Sequence, residues 1–378
     1  MVAVNYAALH AASWLINRIN QVNVYFHAAT DIITSAANSK NGWDVKFNGI
    51  PSYAVNMTDD LIRQLQHRPK ASTEFINGAP NVTEGKLYEF GEGVGYRSSR
   101  CRSGFWPPGP GCPHSKTRHL VFPLAPEVDP IQRGSVPLGP IGLFVNGVAM
   151  YGFKDAFTYR NLATWERLAP EFERFDMDLC EGHADASGRY HHHHFSPCLS
   201  RQLEEDSSPD SAHAKIYGWV NDGFPLYGPH HGNKSLAISC WQKRDYSSSL
   251  TGCSDGQRSC IFNNNGDISL GTYSVPSLLM GPSTNDNLTS LSSNIIPAES
   301  GVFYQDFYFN SSCADQGGVY LNYHNGHSHD DFGFHYHITV DKELHPVFPY
   351  LIGPKFYGVV KSSDPVSMYS HQSRFQSL

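Results

Sequence analysis

Two histidine-rich segments lie far apart in the 378-residue chain and follow the same pattern. Each reads Gly-His, six further residues, an aromatic residue, and then two histidines separated by one residue. The first copy runs from Gly182 to His193 and the second from Gly326 to His337. Because the Gly-His pair stands at the same distance from the histidine pair in both copies, we interpret the segments as an internal repeat.

The spacing of the histidine pair favours metal binding. Side chains alternate between the two faces of a β-strand, so two histidines separated by one residue project from the same face. Together with the histidine of the Gly-His pair they form the three-nitrogen set that is usual for zinc or copper. The predicted metal ligands are His183, His191, His193, His327, His335 and His337. His192 and Tyr336 fall on the opposite strand face and are predicted not to bind metal.

A duplicated unit also predicts a spatial arrangement. We expect the two histidine strands to be related by a pseudo-twofold axis and to lie near each other in the core. Two separate three-histidine sites and one shared site are both compatible with the pattern, and two sites are favoured. The alternative is a metal-free cluster that burial and hydrogen bonding hold together.

The composition favours a mostly β architecture with a few short helices. The chain holds 33 glycines and 24 prolines between many short apolar runs, and its 40% hydrophobic residues suffice for a sizeable core. We predict a single large, disulfide-stapled domain that contains the repeat. The expected boundaries are an N-terminal helical segment at residues 1–40, the β-rich domain at 41–360 and a polar tail at 361–378.

Several local elements can be predicted from turn and cap signals. Asn146-Gly147 and Asn221-Asp222-Gly223 each stand between apolar flanks, which predicts two tight hairpins. The stretch from Asp59 to Gln66 is predicted to be a helix with Thr58 as its N-cap. Apolar periodicity predicts another helix from Tyr6 to Ile19.

The charge distribution argues against two classes of partner. The formal charge is −7 and the basic residues are dispersed, so no nucleic-acid-binding surface is predicted. No stretch approaches the ~18 apolar residues of a membrane span, and no membrane partner is predicted.

Eight cysteines with wide spacing favour disulfides in an oxidising compartment. Eight free thiols are the alternative. The short loops favour Cys101–Cys112 and Cys253–Cys260, and Cys180–Cys198 would close a loop around the first histidine segment. Cys240–Cys313 is the pair that remains.

Five sequons add support for a secreted glycoprotein, and N-linked glycans are expected at Asn56, Asn81, Asn233, Asn287 and Asn310. The first thirty residues do not show the basic start and unbroken apolar run of a signal peptide. The predicted location is nevertheless extracellular, on the cysteines and sequons.

Other polar groups have more than one interpretation. His230-His231 could add ligands or a base, but a surface loop is favoured. Asp222 could orient a ligand histidine or simply form its turn, and Asp330-Asp331 is interpreted as a solvated turn. The chain lacks the G-x-S-x-G elbow, the P-loop and the dinucleotide fingerprint, so catalysis is left open. Metal chemistry on these histidines could be hydrolytic or, with copper, oxidative.

The chain resembles the YHYH-domain proteins between about residues 43 and 357. The first signature resembles Cys180 to Leu199, and the second resembles Asp222 to Pro229. Further matches are Asn146-Gly147-Val148, Phe334 to Thr339 and Phe348 to Gly353. The third letter of the first copy is His192 instead of Tyr, Phe334 opens the second copy, and His324 replaces an expected Cys. The resemblance implies a fold and a histidine-rich site but no reaction.

These observations lead to two hypotheses. The first is a secreted, disulfide-bonded, N-glycosylated protein with copper or zinc bound at histidine clusters. The second is a structural extracellular glycoprotein, a matrix or filament subunit, in which the histidines and disulfides serve rigidity or self-assembly.

Overall fold

The computed structural model describes a large part of the chain. The described residues are 33–39, 42–97, 101, 109–123, 125–131, 134–204, 213–232, 235–247, 256–258, 280–329 and 332–360. The helix predicted from Tyr6 to Ile19 and the predicted tail at 361–378 lie outside these ranges. The strand Ile33–Ser39 lies inside the segment predicted to be helical, and here the helical prediction is wrong. This stretch pairs antiparallel with Gly42–Phe47, so strand pairing decides its conformation.

The fold is mostly β with a few short helices, as predicted. The strands are β1 Ile33–Ser39, β2 Gly42–Phe47, β3 Ala54–Asn56, β4 Leu87–Glu89, β5 Arg118–Phe122, β6 Pro140–Phe144, β7 Ala149–Tyr151, β8 Lys154–Thr158, β9 Glu166–Leu168, β10 His183–Ala184, β11 Tyr190–His192, β12 Ile216–Val220, β13 Pro225–Tyr227, β14 His230–Gly232, β15 Ser235–Leu236, β16 Trp241–Lys243, β17 Asn287–Thr289, β18 Ile295–Pro297, β19 Phe307–Phe309, β20 Gly326–His329 and β21 Gly333–His337. The α-helices are α1 Asp59–Gln66, α2 Ala71–Glu74, α3 Ala169–Phe172, α4 Pro197–Gln202 and α5 Ser311–Ala314, and single 3₁₀ turns form at Tyr159–Asn161, Arg174–Asp176 and Tyr304–Asp306.

Helix α1 begins and ends where the sequence predicts. The Thr58 side chain accepts a hydrogen bond from Leu61 N, so the threonine acts as the N-cap. Asp59 and Asp60 lie in the first turn, where negative charge is favourable to the helix dipole.

The central eight-stranded sheet consists of two halves with the same topology. Its strand order is β10-β11-β7-β6-β12-β13-β21-β20. In each half, a hairpin supplies two strands (β6–β7 or β12–β13), and a histidine hairpin (β10–β11 or β20–β21) adds beside it in parallel. The internal repeat therefore includes both predicted hairpins and not only the histidine segments. The turn glycines Gly147 and Gly223 adopt φ of 81° and 88°, which favours glycine.

The register places a pseudo-twofold axis at the middle of the sheet. Leu143 on β6 pairs with Trp219 on β12, and the flanking pairs are Gly142 with Val220 and Phe144 with Gly218. When residue 143 is superposed on residue 219, the pair Gly142–Val220 falls on the pair Gly218–Phe144, and the central pair falls on itself. The axis is perpendicular to the sheet, since β6 and β12 are antiparallel neighbours. Such an axis leaves the two faces of the sheet unexchanged.

Both histidine pairs consequently lie on the same face of the sheet. One row of cross-strand neighbours contains His191, Ala149, Leu143, Trp219 and Pro225. Since Leu226 pairs with Tyr336 in the parallel register of β13 and β21, the next position along this row is His335. Four strands separate β11 from β21, so the two are roughly 24 Å apart at about 4.8 Å per strand. The expectation that the two histidine strands lie near each other is wrong. The first strand of each repeat, β6 or β12, pairs with that of the other repeat at the axis. The two histidine hairpins therefore lie at opposite edges of the sheet.

Three of the predicted disulfides are present, namely Cys101–Cys112, Cys180–Cys198 and Cys240–Cys313. Cys253 and Cys260 lie outside the described residues. The Cys180–Cys198 bond ties the entry of β10 to helix α4 and so encloses the first histidine hairpin. Within the described residues, no helix combines the length and apolar character needed to cross a membrane.

Candidate metal sites

Site A, which consists of Glu173, His183, His191 and His193, lies at the β10–β11 edge of the sheet. One potential ligand atom from each residue lies within 4.8 Å of the others. His183 pairs with His191 across the hairpin, and His193 follows the end of β11. Glu173 directly follows helix α3, and its Oε2 lies 2.9 Å from His183 Nε2 and 3.3 Å from His193 Nε2. The three histidines are buried.

Backbone carbonyls fix the tautomers of two histidines in site A. His191 Nδ1 donates to Arg189 O at 3.0 Å, and His193 Nδ1 donates to Gly152 O at 2.6 Å. A carbonyl oxygen only accepts, so each neutral ring carries its hydrogen on Nδ1 and a lone pair on Nε2. The two Nε2 atoms are 3.1 Å apart. This contact is favourable only when a proton or a cation lies between the two lone pairs.

The electrostatics of site A centre on its carboxylate. Burial would raise the pKa of Glu173, but His183 and His193 hold it well below its ordinary value. Burial would lower the pKa of His183, but Glu173 raises it above the ordinary value. Burial, together with the other two histidines, lowers the pKa of His191 well below its ordinary value. Without metal, site A therefore contains a Glu173–His183 ion pair beside a neutral His191.

A second carboxyl group lies behind Glu173. Burial and the charge of Glu173 raise the pKa of Asp155 to about 8, and the two side chains are hydrogen-bonded. Asp155 is protonated at neutral pH and donates to Glu173.

Site B, which consists of His213, His327, His335 and His337, lies at the opposite edge of the sheet. One nitrogen from each residue lies within 4.8 Å of the others. His327 pairs with His335 across the β20–β21 hairpin, and His337 ends β21. His213 enters from the segment before β12. Site B thus brings four imidazoles together.

The nitrogen atoms that face each other in site B are buried and lack hydrogen-bond partners. Three Nδ1 atoms donate to backbone carbonyls: His327 to Gly318 O at 2.8 Å, His335 to Gly333 O at 2.8 Å and His337 to Gly228 O at 2.7 Å. His213 Nδ1 likewise donates to Ala214 O at 3.0 Å. All four Nε2 atoms are buried, and none has a hydrogen-bond partner in the part of the chain that the structure describes. Four lone pairs that point into one dry space are costly unless something binds them.

Burial keeps the site B histidines neutral. It lowers the pKa of His213 and of His327 to about 4 and that of His335 to about 3, and the neighbouring imidazoles add to the effect. Burial also lowers the pKa of His337 well below its ordinary value. Neutral imidazole is the form that binds a metal.

The same backbone contacts recur in the two sites. Gly152 O and Gly228 O, at equivalent hairpin positions, accept from His193 and His337 respectively. Upstream, Asp178 Oδ1 accepts from the N–H groups of Cys180 and Gly182. Its counterpart Asn322 Oδ1 accepts from those of His324 and Gly326. The repeat thus preserves the devices that orient its histidines.

The opposite face of the histidine strands makes different contacts, as predicted. His192 Nε2 accepts from Tyr53 OH at 2.8 Å, and its Nδ1 donates to Glu181 O at 2.7 Å. Tyr336 OH donates to Asp222 Oδ2 at 2.6 Å. Asp222 Oδ1 also accepts from Phe224 N within its own turn, so this residue forms the turn and anchors the rear of β21.

All six histidines predicted as ligands lie in site A or site B, three in each. Sequence reasoning missed Glu173 and His213, which lie outside the repeated pattern and so carried no spacing signal. The favoured interpretation of His230-His231 as surface loop is wrong for His231. This residue lies in strand β14, and its ring centroid is 5.1 Å from that of His327. Asp330 and Asp331 lie outside the described residues.

A third group of possible ligands, Asp341, Glu343 and His345, lies in the turn after β21. Two of its members are exposed, and Asp341 accepts hydrogen bonds from the N–H groups of the other two. The turn's own hydrogen bonds account for this group.

The fold and the two clusters define a disulfide-bonded, β-rich protein with buried histidine sites at both edges of a duplicated sheet. A family model described as YHYH protein matches residues 119–315, which is more than half of the chain. The chain belongs to the YHYH family. The matched region contains all of site A and the β12–β13 hairpin. Comparison with curated proteins and with solved structures gives no significant match.

Proposed function

We propose that this protein binds transition-metal ions, copper or zinc, at site A and at site B. The observation that carries the proposal is the orientation of the site B imidazoles. Their Nδ1 atoms donate to backbone carbonyls, and their buried Nε2 atoms face each other with no hydrogen-bond partner from any described residue. A bound cation satisfies these lone pairs together. Carbonyl-held imidazoles are the usual arrangement around a protein-bound metal.

The donor sets fit these metals. In site A, His183, His191 and His193 would bind together with the carboxylate of Glu173. In site B, four imidazoles would bind. Nitrogen-rich sets of this kind suit zinc and copper better than magnesium or calcium, which prefer oxygen. A bound zinc would lower the pKa of a coordinated water, whereas copper would add one-electron chemistry.

We also propose that the protein is secreted and N-glycosylated. Disulfides persist in oxidising compartments, and three are present among the described cysteines. Asn56, Asn81 and Asn287 are exposed and can accept a glycan without disturbing the fold. The Asn310 side chain is engaged as the N-cap of α5, so we expect less modification there. Asn233 lies outside the described residues.

The test is metal content by mass spectrometry, on protein purified without immobilised nickel or chelators. The variants are His191→Ala/His193→Ala for site A and His335→Ala/His337→Ala for site B, and the quadruple variant combines them. We expect each double variant to lose the metal of its own site only, and the quadruple variant to retain none. The exposed pair His67→Asn/His119→Asn serves as the matched control and should keep the full content.

The proposal fails if the wild-type protein, equilibrated with copper or zinc and then dialysed, holds no more metal than the quadruple variant. That result would favour the structural glycoprotein hypothesis, with the histidines serving packing or self-assembly. Circular dichroism of each variant separates loss of metal from loss of fold.

A further inference from the structure

Two further histidines lie beside site B, and the corresponding positions beside site A are not histidines. We call His231 and His329 the outer histidines. The His231 ring centroid lies 4.6 Å from that of His329 and 5.1 Å from that of His327. His329 also stacks near His213, at 5.8 Å between centroids. Six imidazoles therefore lie in one continuous group.

The six rings can be grouped into two triangles, with His327 lying between them. His213, His335 and His337 form the first, with all three centroid separations equal to 5.0 Å. The second consists of His231, His327 and His329, with separations of 5.1, 4.6 and 6.1 Å. For comparison, the three histidines of site A are separated by 4.6, 5.7 and 4.8 Å. Site B and the outer histidines together thus form two groups, each about the size of the site A triangle.

The triangles adjoin one another. His327 of the second triangle lies 4.8 Å from His335 and 5.1 Å from His337 of the first, measured between centroids. Ions held in neighbouring groups of this size would be close enough to interact, as in two-metal sites, where the ions are about 3.5–4 Å apart.

The internal repeat shows that the outer histidines are specific to the second copy. Superposing the two hairpins places Asp155 at the position of His231, and superposing the two histidine segments places Asp185 at that of His329. Asp155 is hydrogen-bonded to Glu173 of site A. Asp185 accepts from Tyr151 OH at 2.7 Å and from Arg189 N at 3.0 Å. The same two scaffold positions thus carry acids in one half and imidazoles in the other.

Resting on the proposed function of site B, we propose that site B is a two-metal centre. The first triangle holds one ion. The second ion is held by His327, one of the four converging histidines of site B, together with the two outer histidines. Three imidazoles per ion are a set that copper accepts readily. Copper also limits the charge of a centre whose six imidazole ligands are neutral, because it is stable as a monovalent ion.

The experiment uses the full chain carrying His191→Ala/His193→Ala, so that only site B binds. Copper is added, excess is removed by dialysis, and copper per chain is measured. We expect two copper ions per chain. In the oxidised protein, the electron paramagnetic resonance signal should account for less than the total copper, or be broadened by coupling between the ions. Adding His231→Asn/His329→Asn should reduce the content to one ion with an uncoupled signal.

Three results overturn the two-metal centre. These are one copper per chain with an ordinary mononuclear signal, two ions without any coupling, and a second ion that survives removal of the outer histidines. Absence of copper altogether would instead refute metal binding at site B, so the two failures are distinguishable. His67→Asn/His119→Asn in the same background controls for loss of surface imidazoles. A variant with His231→Asp/His329→Asp, which installs the residue type of the first copy, tests the same positions with a second pair of side chains.

Discussion

The two edges of the central sheet are built from the same backbone plan but carry different chemistry. Site A contains a carboxylate, Glu173, which forms an ion pair with His183 and is backed by Asp155. Among the described residues, site B contains only imidazoles, and their facing nitrogens are buried without hydrogen-bond partners there. The two copies share the backbone carbonyls that orient the ligands. The residues around those ligands differ between the copies.

A disulfide is another difference between the two edges. Cys180–Cys198 encloses the first histidine hairpin, with a sequence separation of 18 between the bonded cysteines. In the second copy, His324 occupies the place of Cys180, and its Nδ1 donates to Lys355 O at 2.9 Å. Site A is held by a covalent bond where site B relies on hydrogen bonds.

The largest expected effect in this comparison concerns that disulfide. Cys180→Ser/Cys198→Ser should destabilise the protein by about 3 kcal/mol, because the open loop gains conformational entropy in the unfolded state. Urea unfolding monitored by circular dichroism measures the change. Metal should be lost more readily from site A than from site B. Equal loss of metal from the two sites would contradict the claim that the Cys180–Cys198 disulfide stabilises site A specifically.

A smaller effect concerns pH in the metal-free protein. The pKa values of His213 and His327 are about 4 and that of His335 is about 3, well below the ordinary value of about 6.5. As the pH falls, these histidines are protonated at a higher pH in the unfolded state than in the folded state. The free energy of unfolding therefore decreases from about pH 6.5 toward pH 4. At pH 5, one such histidine costs about 2 kcal/mol.

Site A should respond differently. The pKa of Glu173 is lowered and that of His183 is raised, so their ion pair is fully formed between the ordinary values of the two groups. Its contribution is lost as the pH falls through the lowered pKa of Glu173 or rises through the raised pKa of His183. His191, with its lowered pKa, opposes this effect at acid pH.

Amide hydrogen exchange at pH 7 and pH 5, corrected for intrinsic rates, checks the contrast. Protection should fall by at least about 30-fold in β20 and β21, which corresponds to about 2 kcal/mol from a single histidine, and by less in β10 and β11. Equal losses in the two hairpins would show that the carboxylate of site A does not distinguish them.

The smallest effect concerns the rear face of the first histidine strand. His192→Leu removes both hydrogen bonds of the ring, from Tyr53 OH and to Glu181 O. It should cost about 1–2 kcal/mol, because the buried apolar leucine offsets part of the contribution of two typical hydrogen bonds. Metal content at both sites should be unchanged, as it should for Tyr336→Phe in the second copy. Loss of metal from site A in a folded His192→Leu protein would place His192 among its ligands, against the geometry of the strand.

Local sequence signals predicted much of what surrounds each histidine. Asn146-Gly147 and Asp222-Gly223 fix the two hairpins because their glycines adopt positive φ. The alternation of β11 and β21 places two histidines on one face and His192 or Tyr336 on the other. These features depend on a few neighbouring residues, so a single sequence carries them.

The repeat, its strand alternation and three predicted ligands in each site can be read from the sequence alone. The location of the two sites at opposite edges of one sheet depends on the tertiary structure. That separation follows from the β6–β12 pairing at the axis and from the parallel additions of β11 to β7 and of β21 to β13. The tertiary structure also brought in Glu173, His213 and His231. Strand pairings and side-chain contacts between distant segments produce no periodicity or spacing in the sequence. A local pattern therefore cannot predict them.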